Sequence, residues 1–561
     1  MYPTVKFRPK SKRAWLLALL TSVSVPQTVQ SQIRVSRVTD TTRFNIRIHP
    51  STTDGPFALI AELEIPRTRD SITTLQLPDE WAGRRNLQRS IIGLEAISPG
   101  ATLLQSTDST HARVRSPIGT PLIVRWRLRE TLPSSSAPDA HNHSEITKHW
   151  AQIVGHDSFV LPDIPASAPV HVMFTFGTAS HAVIATSFGW PAANDSVIIA
   201  RGVRGDIEHA VYTFAIEPAS IRSYKLAVPG GLLYLIVRGH LAIPDTAIGA
   251  AVQRVVATER NFWGGKYSEK YVVTIGTSPR GSLAGTRLTN AFVADLDSTR
   301  TMDEQISLLF AHELMHEWIG NTIHPQDNVP DGSLGWFHEG FTDYMAHLLM
   351  WRSGLLSDSV YIATVNQALS SHAMSIARDS SWSSVVSGFW KNSELQREPY
   401  LRGELLALKL DAEARRTSNN TRSMPLALKQ LAQNKDYVPL GVTDGTLRAY
   451  FRRTLGAFAD SIITSVVNGG PILLDADTFG KCASPMTESR VRWDPAFDVD
   501  SSLKARKIVG TSIDGTAYAQ GLRDGQTITR ASIYRGDPTK QIVLGVRDKD
   551  GDHIVEFVPA G

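Results

Sequence analysis

Two histidines and a glutamate in one short segment have the types and spacing needed for metal-assisted chemistry. His312 and His316 are four positions apart, so in a helix both imidazoles lie on one face, one turn apart. Such a pair can bind one ion, at about 2.0–2.1 Å per nitrogen for zinc. Glu313 follows the first histidine, where this pattern places a general base. Because the pattern arises by chance in roughly a few per cent of chains this long, it needs further ligands to be informative.

The next polar segment supplies a candidate for the third ligand. Glu339 follows His316 after a loop, from Asn321 to Gly335, that is rich in Pro, Asp, Asn and Gly. A helix, a loop and a second helix can bring Glu339 to the same ion, and a catalytic zinc needs three protein ligands and one open position for water. Asp343 lies one turn later. It is either the acceptor that orients a ligand histidine or an ordinary surface acid.

The elements that position these residues are predicted from periodicity and end signals. Thr301–Glu304 has the form of a capping box, which predicts a helix start, and Gly320 with Asn321 predicts its end. Helical periods dominate residues 246–484, with a helix over Ala250–Phe262 and a strand over Tyr271–Ile275. We therefore expect a mainly helical catalytic domain there.

Short alternating apolar runs predict a β-sandwich-like domain over residues 32–245. The clearest runs are Phe44–Ile48, Leu122–Trp126, Val170–Phe174 and Leu232–Val237. Residues 133–138 are predicted to form a loop. The histidines that follow it lack an accompanying acidic or cysteine pattern, which favours a solvated loop over a metal site (His141, His143 and His149). Residues 485–561 return to short strands, predicted at Lys507–Val509, Ile542–Leu544 and Ile554–Phe557.

The first residues of the chain have the three parts of a secretory signal. Five basic residues precede an apolar run from Ala14 to Val25, and small residues stand at Val29 and Ser31. We predict cleavage after Ser31, hence an exported protein, periplasmic or extracellular, with no membrane span in the mature chain. The alternative is an uncleaved anchor, for which the run is short, since a span needs about 20 residues.

Charge and cysteine content exclude other classes. Of 58 basic and 54 acidic residues, five basic ones and no acidic one lie in the first 31 positions, so the mature chain is close to neutral. A nucleic-acid partner therefore lacks electrostatic support. The single cysteine, Cys482, excludes an intramolecular disulfide framework and a cysteine-rich zinc site.

Together these motifs resemble the gluzincin metallopeptidases, both the aminopeptidase N-like enzymes and the PDZ-containing glycyl-aminopeptidase-like enzymes. The matching residues are His312-Glu313-x-x-His316-x-Trp318-x-Gly320-Asn321, Glu339-Gly340-Phe341-Thr342 and Pro399-Tyr400-x-x-Gly403, and the last element is predicted to open a helix. The resemblance implies a thermolysin-like catalytic domain, one Zn²⁺ held by His312, His316 and Glu339, Glu313 as the base and Tyr400 as the residue that stabilises the oxyanion. The expected architecture is thus multidomain α+β.

The C-terminal segment Ile513–Ile528 resembles the helix and turn of bacterial-type PDZ domains, although Gly525-Gln526 replaces the usual Gly-Asp. No Gly-Leu-Gly-Phe loop is present in the sequence. The PDZ-like domain is therefore either a site for a peptide partner or a structural cap on the catalytic domain.

The exopeptidase specificity of the family is the least supported expectation. Its aminopeptidases carry a glycine-rich strand with a glutamate that binds the free amine of the substrate. The corresponding stretch here, from Arg280 to Asn290, has the glycines but no acid. The resemblance implies an aminopeptidase acting on peptides or proteins, while an endopeptidase and a catalytically silent binding protein stay open. A zinc hydrolase for a non-peptide bond has no positive sign in the sequence.

Overall fold

An N-terminal β-rich region comes first, and its strands bury alternate residues. In β9, Leu122, Val124, Trp126 and Leu128 are buried while the residues between them are more exposed, as expected for a strand with one face on a core. The strands are β1 (Thr42–Pro50), β2 (Ala58–Ile65), β3 (Ile72–Gln76), β4 (Glu80–Trp81), β5 (Arg84–Arg85), β6 (Ile92–Ala96), β7 (Thr102–Leu104), β8 (His111–Arg115), β9 (Leu122–Arg129), β10 (Glu145–Ile146), β11 (Trp150–Val154), β12 (Leu161–Pro162), β13 (Pro169–Phe176), β14 (Ile184–Thr186), β15 (Val197–Val203) and β16 (Val211–Ala215).

The structure is a computed structural model, which describes residues 41–51, 56–105, 108–131, 140–178, 182–192, 195–217, 219–265, 267–278, 281–326, 328–330, 332–480, 483–486 and 491–560. The predicted signal at residues 1–31, the predicted loop at 133–138 and Cys482 lie outside these ranges.

Three larger sheets and the two-stranded sheet β4-β5 carry the β-rich region. The strand orders of the larger sheets are β15-β13-β1-β2-β9-β6, β10-β11-β16-β14 and β12-β3-β8-β7. Two short helices, α1 (Gly155–Ser158) and α2 (Arg204–Glu208), and a 3₁₀ turn at Ala140–Asn142 stand between strands. The 3₁₀ turn at Ala140–Asn142 contacts two strands of the five-stranded sheet described below. The β-rich region therefore packs against the part of the chain that carries the predicted site.

A five-stranded sheet with helices forms the region that carries the predicted site. Its strands are β17 (Ile221–Val228), β18 (Gly231–Arg238), β19 (Lys270–Ser278), β20 (Leu283–Leu288) and β21 (Ala291–Asp297), in the order β17-β18-β19-β21-β20. The central strands β18, β19 and β21 run parallel and β20 is an antiparallel edge. The sequence pattern assigns Leu232–Val237 to the N-terminal β-rich domain, but this strand pairs with β19. Its apolar run is buried on both faces, as a central strand requires.

The helices of this region are α3 (Asp245–Trp263), α4 (Glu304–Met315), α5 (Gly335–His338), α6 (Gly340–Arg352), α7 (Asp358–Met374), α8 (Trp382–Gly388), α9 (Ser393–Thr417), α10 (Met424–Ala432), α11 (Asp444–Thr454) and α12 (Phe458–Val467). They share one hydrophobic cluster with the sheet.

The start of α4 lies within the predicted segment, whereas the end of α4 and the start of α9 differ from the prediction. The Asp303 carboxylate accepts from the Ile306 amide at 3.0 Å, so α4 begins at Glu304. It ends at Met315, and hydrogen-bonded turns replace the helix before Gly320. The α9 helix begins at Ser393 instead of Pro399, because the Asn392 side chain caps it, and Pro399 lies inside the helix.

Helices α6 and α9 meet backbone to backbone. A Cβ on Gly340 would overlap the main chain of Gly403, and one on Gly403 would overlap the carbonyl oxygen of Trp336. Only glycine permits this approach. Since Glu339 precedes Gly340 and Tyr400 lies one turn before Gly403, the contact fixes these two side chains against each other.

The C-terminal residues have their own hydrophobic cluster, which includes Trp493, Leu522 and Phe557. It contains α13 (Val499–Ala505), α14 (Thr516–Ala519) and an antiparallel sheet of β22 (Thr527–Ser532), β23 (Ile542–Asp548) and β24 (Gly551–Phe557). The strand predicted at Lys507–Val509 is reduced to a single bridge between Lys507 and Thr527. Among the described residues, no helix combines the length and apolar character needed to cross a membrane.

Candidate active site

Three side chains from two segments converge on one point. One ligand atom each from His312, His316 and Glu339 lies within 4.8 Å of the other two. The two Nε2 atoms are 3.1 Å apart, and Glu339 Oε2 lies 3.4 Å from His312 Nε2 and 3.6 Å from His316 Nε2. The last turn of α4 presents the histidines, and the junction between α5 and α6 presents the glutamate.

The other nitrogen of each histidine is held by an acceptor. His312 Nδ1 lies 2.7 Å from Asp343 Oδ1, and His316 Nδ1 lies 3.0 Å from the Ile319 carbonyl oxygen. An acceptor at Nδ1 places the proton there, which leaves the Nε2 lone pairs directed at the shared point. Asp343 thus occupies the orienting position considered for it.

This donor set fits a zinc ion. Two neutral imidazole lone pairs that face each other at 3.1 Å repel unless a cation lies between them, and the Glu339 carboxylate adds the anionic third donor. Two histidines and one carboxylate are the ligand set of catalytic zinc sites that keep a position for water.

Glu313 is buried beside this point, and burial raises the pKa of its carboxyl group. The edge strand β20 makes room for it at Gly285. A Cβ on Gly285 would lie 2.5 Å from Glu313 Oε1 and 2.7 Å from its Cγ. The glycine of this strand therefore serves the general base of the predicted site.

Tyr400 reaches the same point from α9. Its ring centroid lies 5.8 Å from that of His312, and its hydroxyl forms a hydrogen bond with Glu339. Burial, followed by the negative charge of Glu339, raises the pKa of Tyr400, so the hydroxyl keeps its proton and can donate it to an anion.

Arg402, two residues later, does not face the site. It pairs with Glu398 at 3.1 Å and donates to main-chain oxygens that include those of Ala377, Ser380 and Val467. It is fully buried, so this arginine stabilises the fold around α9.

The other histidines considered in the sequence do not form a metal cluster. His149 lies 2.5 Å from Glu217, and His143 lies 3.4 Å from Asp157. Throughout the described ranges, the His312, His316 and Glu339 group is the set of three or more donors that meets the distance for one ion.

Two acids on the sheet side of β20 are already paired. Asp295 of β21 stands opposite Ala284 in the sheet register and lies 3.2 Å from Arg238, which also binds Glu145 at 2.8 Å. Burial raises the pKa of Asp295 to about 6 in spite of Arg238. Neither acid is available as a free anchor for a substrate amine.

Residues 305–405 match the family model described as M61 glycyl aminopeptidase. No match was found among the curated proteins. Among solved structures, an aminopeptidase N family protein from Idiomarina loihiensis is similar over 92% of this chain and 96% of that chain, with 16% sequence identity and a TM-score of 0.70. An M1 zinc metallopeptidase variant from Deinococcus radiodurans, bound to a Tyr-Ser-Ala substrate, is similar over 78% of this chain and 95% of that chain, with 14% identity and a TM-score of 0.49.

The likeness to the Idiomarina protein shows the multidomain α+β fold of the described chain, and the family match covers every motif residue from His312 to Tyr400. The chain is a hydrolase of the zinc metallopeptidase type. The resemblance to the gluzincins of the glycyl-aminopeptidase type, inferred from the motifs, is confirmed over residues 305–405.

Proposed function

We propose that this chain is an exported zinc peptidase that hydrolyses peptide bonds with metal-activated water and, as the matched family implies, acts as an aminopeptidase. The observation that carries the proposal is the convergence of five side chains on one point: His312, His316, Glu339, Glu313 and Tyr400. One Zn²⁺ ion bound by the first three would lower the pKa of its water from 15.7 to about 7.

The residues of the chain divide the remaining tasks. Glu313 takes the proton of the attacking water and passes it to the leaving amine. Its burial supports this role, because a raised pKa brings the carboxylate closer to the pH at which it works. Asp343 holds the His312 ring in the orientation and tautomer that ligation requires.

Tyr400 donates its hydroxyl hydrogen to the oxyanion that forms when the scissile carbonyl is attacked. Its support is the high pKa, which keeps the donor protonated, and its position at the Glu339 carboxylate. A donor of this kind contributes roughly 2.7–4 kcal/mol of transition-state stabilisation.

Endopeptidase activity is the second candidate, and a specific observation favours it. Asp295, opposite Ala284 in the sheet register, and Glu145 are both held by Arg238, so neither marks the position of a substrate amine. A substrate whose N-terminus is not recognised can be cut internally.

The remaining parts of the proposal concern layout and location. The proposed domains are a β-sandwich-like one at 32–245, a thermolysin-like catalytic one at 246–484 and a PDZ-like one at 485–561, the last supported by its separate hydrophobic cluster. The pairing of β17 with β18 and of β18 with β19 supports a catalytic domain that begins before β17. Export through the signal at residues 1–31 would deliver the enzyme to the periplasm or the exterior. A peptide partner for the PDZ-like domain has no further support.

The test uses the mature chain from Gln32 and a peptide pool, half of it N-terminally acetylated, with products identified by mass spectrometry. Trimming of free N-termini alone is expected for an aminopeptidase. Internal cleavage regardless of acetylation would instead establish the endopeptidase. No cleavage by zinc-loaded protein would contradict the proposal and favour a silent binding protein.

A further inference from the structure

Two histidines of the β-rich region and Arg287 of β20 form a hydrogen-bonded cluster beside the proposed base, Glu313. Arg287 lies on β20 two residues after Gly285, so by strand alternation it shares the face that receives Glu313. Its Nη1 lies 3.2 Å from Nε2 of His209, which follows α2. The Thr289 amide also donates to the His209 carbonyl oxygen at 2.7 Å, so main-chain and side-chain contacts both join β20 to this histidine.

The hydrogen bonds of the cluster have one possible direction. A guanidinium only donates, so His209 Nε2 accepts and His209 Nδ1 carries the ring proton. His209 Nδ1 lies 3.2 Å from His156 Nε2, which therefore accepts in turn. The His156 ring stacks on Trp81 with centroids 4.0 Å apart, which fixes the far end of the chain of contacts.

The two histidines bring no counter-charge to Arg287. Burial lowers the pKa of His156 to about 4 and holds that of His209 well below its usual value, so both rings are neutral. No carboxylate pairs with Arg287 in the part of the chain that the structure describes, although Glu317 and Glu313 act on it through space. A held guanidinium with a neutral partner and unused N–H groups is suited to bind an anion.

Arg287 is partly exposed as a residue and lies on the same strand face as Gly285. Arg287, His209 and Gly285 are all partly exposed to solvent, as are the metal ligands. Arg287 therefore lies on the strand side of the proposed base, in the stretch where the acid expected for amine binding is missing.

We propose that Arg287 binds a carboxylate of the peptide substrate, with His209 as the residue that positions the guanidinium. The inference rests on the proposed peptidase function and names its substrate class: peptides that present an anion to the strand side of the site. Two sources offer the same chemistry, an acidic side chain next to the scissile bond and a free C-terminal carboxylate.

The test compares kcat/KM for matched peptides that differ by one carboxylate. Three arms replace Glu by Gln before the scissile bond, Glu by Gln after it, or the C-terminal carboxylate by an amide. In at least one arm the zinc-loaded wild-type chain should prefer the acid, by roughly ten- to a hundredfold for a charge-assisted pair. The arm that shows the preference identifies the source.

Arg287→Gln should reduce that preference to about one, while Arg254→Gln, an exposed arginine on α3, should leave it unchanged. If Arg287→Gln does not fold, Arg287→Lys keeps the charge without the two-pronged geometry and should lower the preference while cleavage of the amide peptide persists. Equal rates for all three wild-type pairs, or a preference that survives Arg287→Gln, would overturn the proposal.

A binding measurement separates this inference from the proposed function. Calorimetry with the zinc-loaded Glu313→Gln chain should show tighter binding of the acidic peptide than of its amide counterpart, dependent on Arg287. Arg287-dependent binding without turnover by the wild type would refute the peptidase and retain the anion site. Turnover without any preference for the acidic peptide, in rate or in binding, would support the peptidase and refute the anion site.

Discussion

The site has a helical wall, formed by His312 on α4, Glu339 between α5 and α6, and Tyr400 on α9. Facing it is a strand wall, formed by Gly285 and Arg287 on β20 with His209. On the helical wall each polar side chain has a partner of matching charge or hydrogen-bond type, such as Asp343 for His312. On the strand wall the Arg287 cation stands beside neutral histidines, and no carboxylate is bonded to it among the described residues.

This difference separates two tasks. On the helical wall, side chains whose hydrogen bonds are satisfied would hold a metal ion and an oxyanion donor in fixed positions, as catalysis requires. An unsatisfied cation gains its partner only when a substrate arrives, so the second wall selects what is cut. Changes on the helical wall should therefore affect chemistry and metal binding, and changes on the strand wall should affect the base and substrate choice.

The largest effect is expected for Tyr400→Phe. Loss of the oxyanion donor should lower kcat by about 100- to 1000-fold, the range for removal of one such donor, with zinc content and KM nearly unchanged. Steady-state kinetics beside metal analysis measures both. Tyr534→Phe, an exposed tyrosine in the C-terminal region, serves as the control. An unaltered kcat would remove Tyr400 from the mechanism.

Gly403→Ala tests the scaffold of the helical wall. Its Cβ would overlap the Trp336 carbonyl oxygen on α5 and the Gly340 Cα on α6, so α9 must move away from both helices at a cost of roughly 3 kcal/mol in the free energy of unfolding. Denaturant unfolding measures that loss. Gly445→Ala, whose Cβ would meet Thr443 Oγ1 at 3.9 Å, should change stability little. Equal stability of the two variants would show that the contact does not hold the wall together.

Asp343→Asn weakens the orientation of His312 without removing a metal ligand. We expect a 10- to 100-fold lower zinc affinity, typical of removing such a partner, measured by chelator competition. Glu304→Gln, an exposed acid at the start of the same helix as His312, should leave affinity unchanged. Wild-type affinity in Asp343→Asn would make Asp343 an ordinary surface acid.

Gly285→Ala should have the smallest effect and should act from the strand wall. The added methyl group displaces the Glu313 carboxylate, and we expect kcat to fall by about tenfold, since a shift of roughly 1 Å costs up to a hundredfold. Zinc content should stay at the wild-type level. Lost zinc would show that the two walls are not separate in function.

The helical wall could be predicted from the sequence to a large extent, and the strand wall could not. The helical spacing of His312 and His316, the downstream Glu339 and the Tyr400 element lie in two short stretches with recognisable patterns. Arg287 and His209 are 78 positions apart, and no periodicity links an edge strand to a residue that follows a short helix in another region.

Errors in the predicted fold have similar physical causes. Pro399 was expected to open its helix, but a side-chain cap at Asn392 extends α9 upstream and tolerates a proline inside it. The role of Gly340 and Gly403 depends on two helices crossing, which a single helix pattern does not contain. Gly340 directly follows Glu339, and Gly403 lies one turn after Tyr400. A glycine this close to each of two motif residues is the signal that points to such a crossing.

The central claim is that a metal-supported base drives peptide hydrolysis at this point. The most direct test measures zinc per chain and turnover of one cleaved peptide in parallel preparations of the wild type and Glu313→Gln. The account predicts near one equivalent of zinc in both proteins and turnover in the wild type alone. Comparable turnover in Glu313→Gln, or cleavage by a wild-type chain that holds no metal, would contradict it.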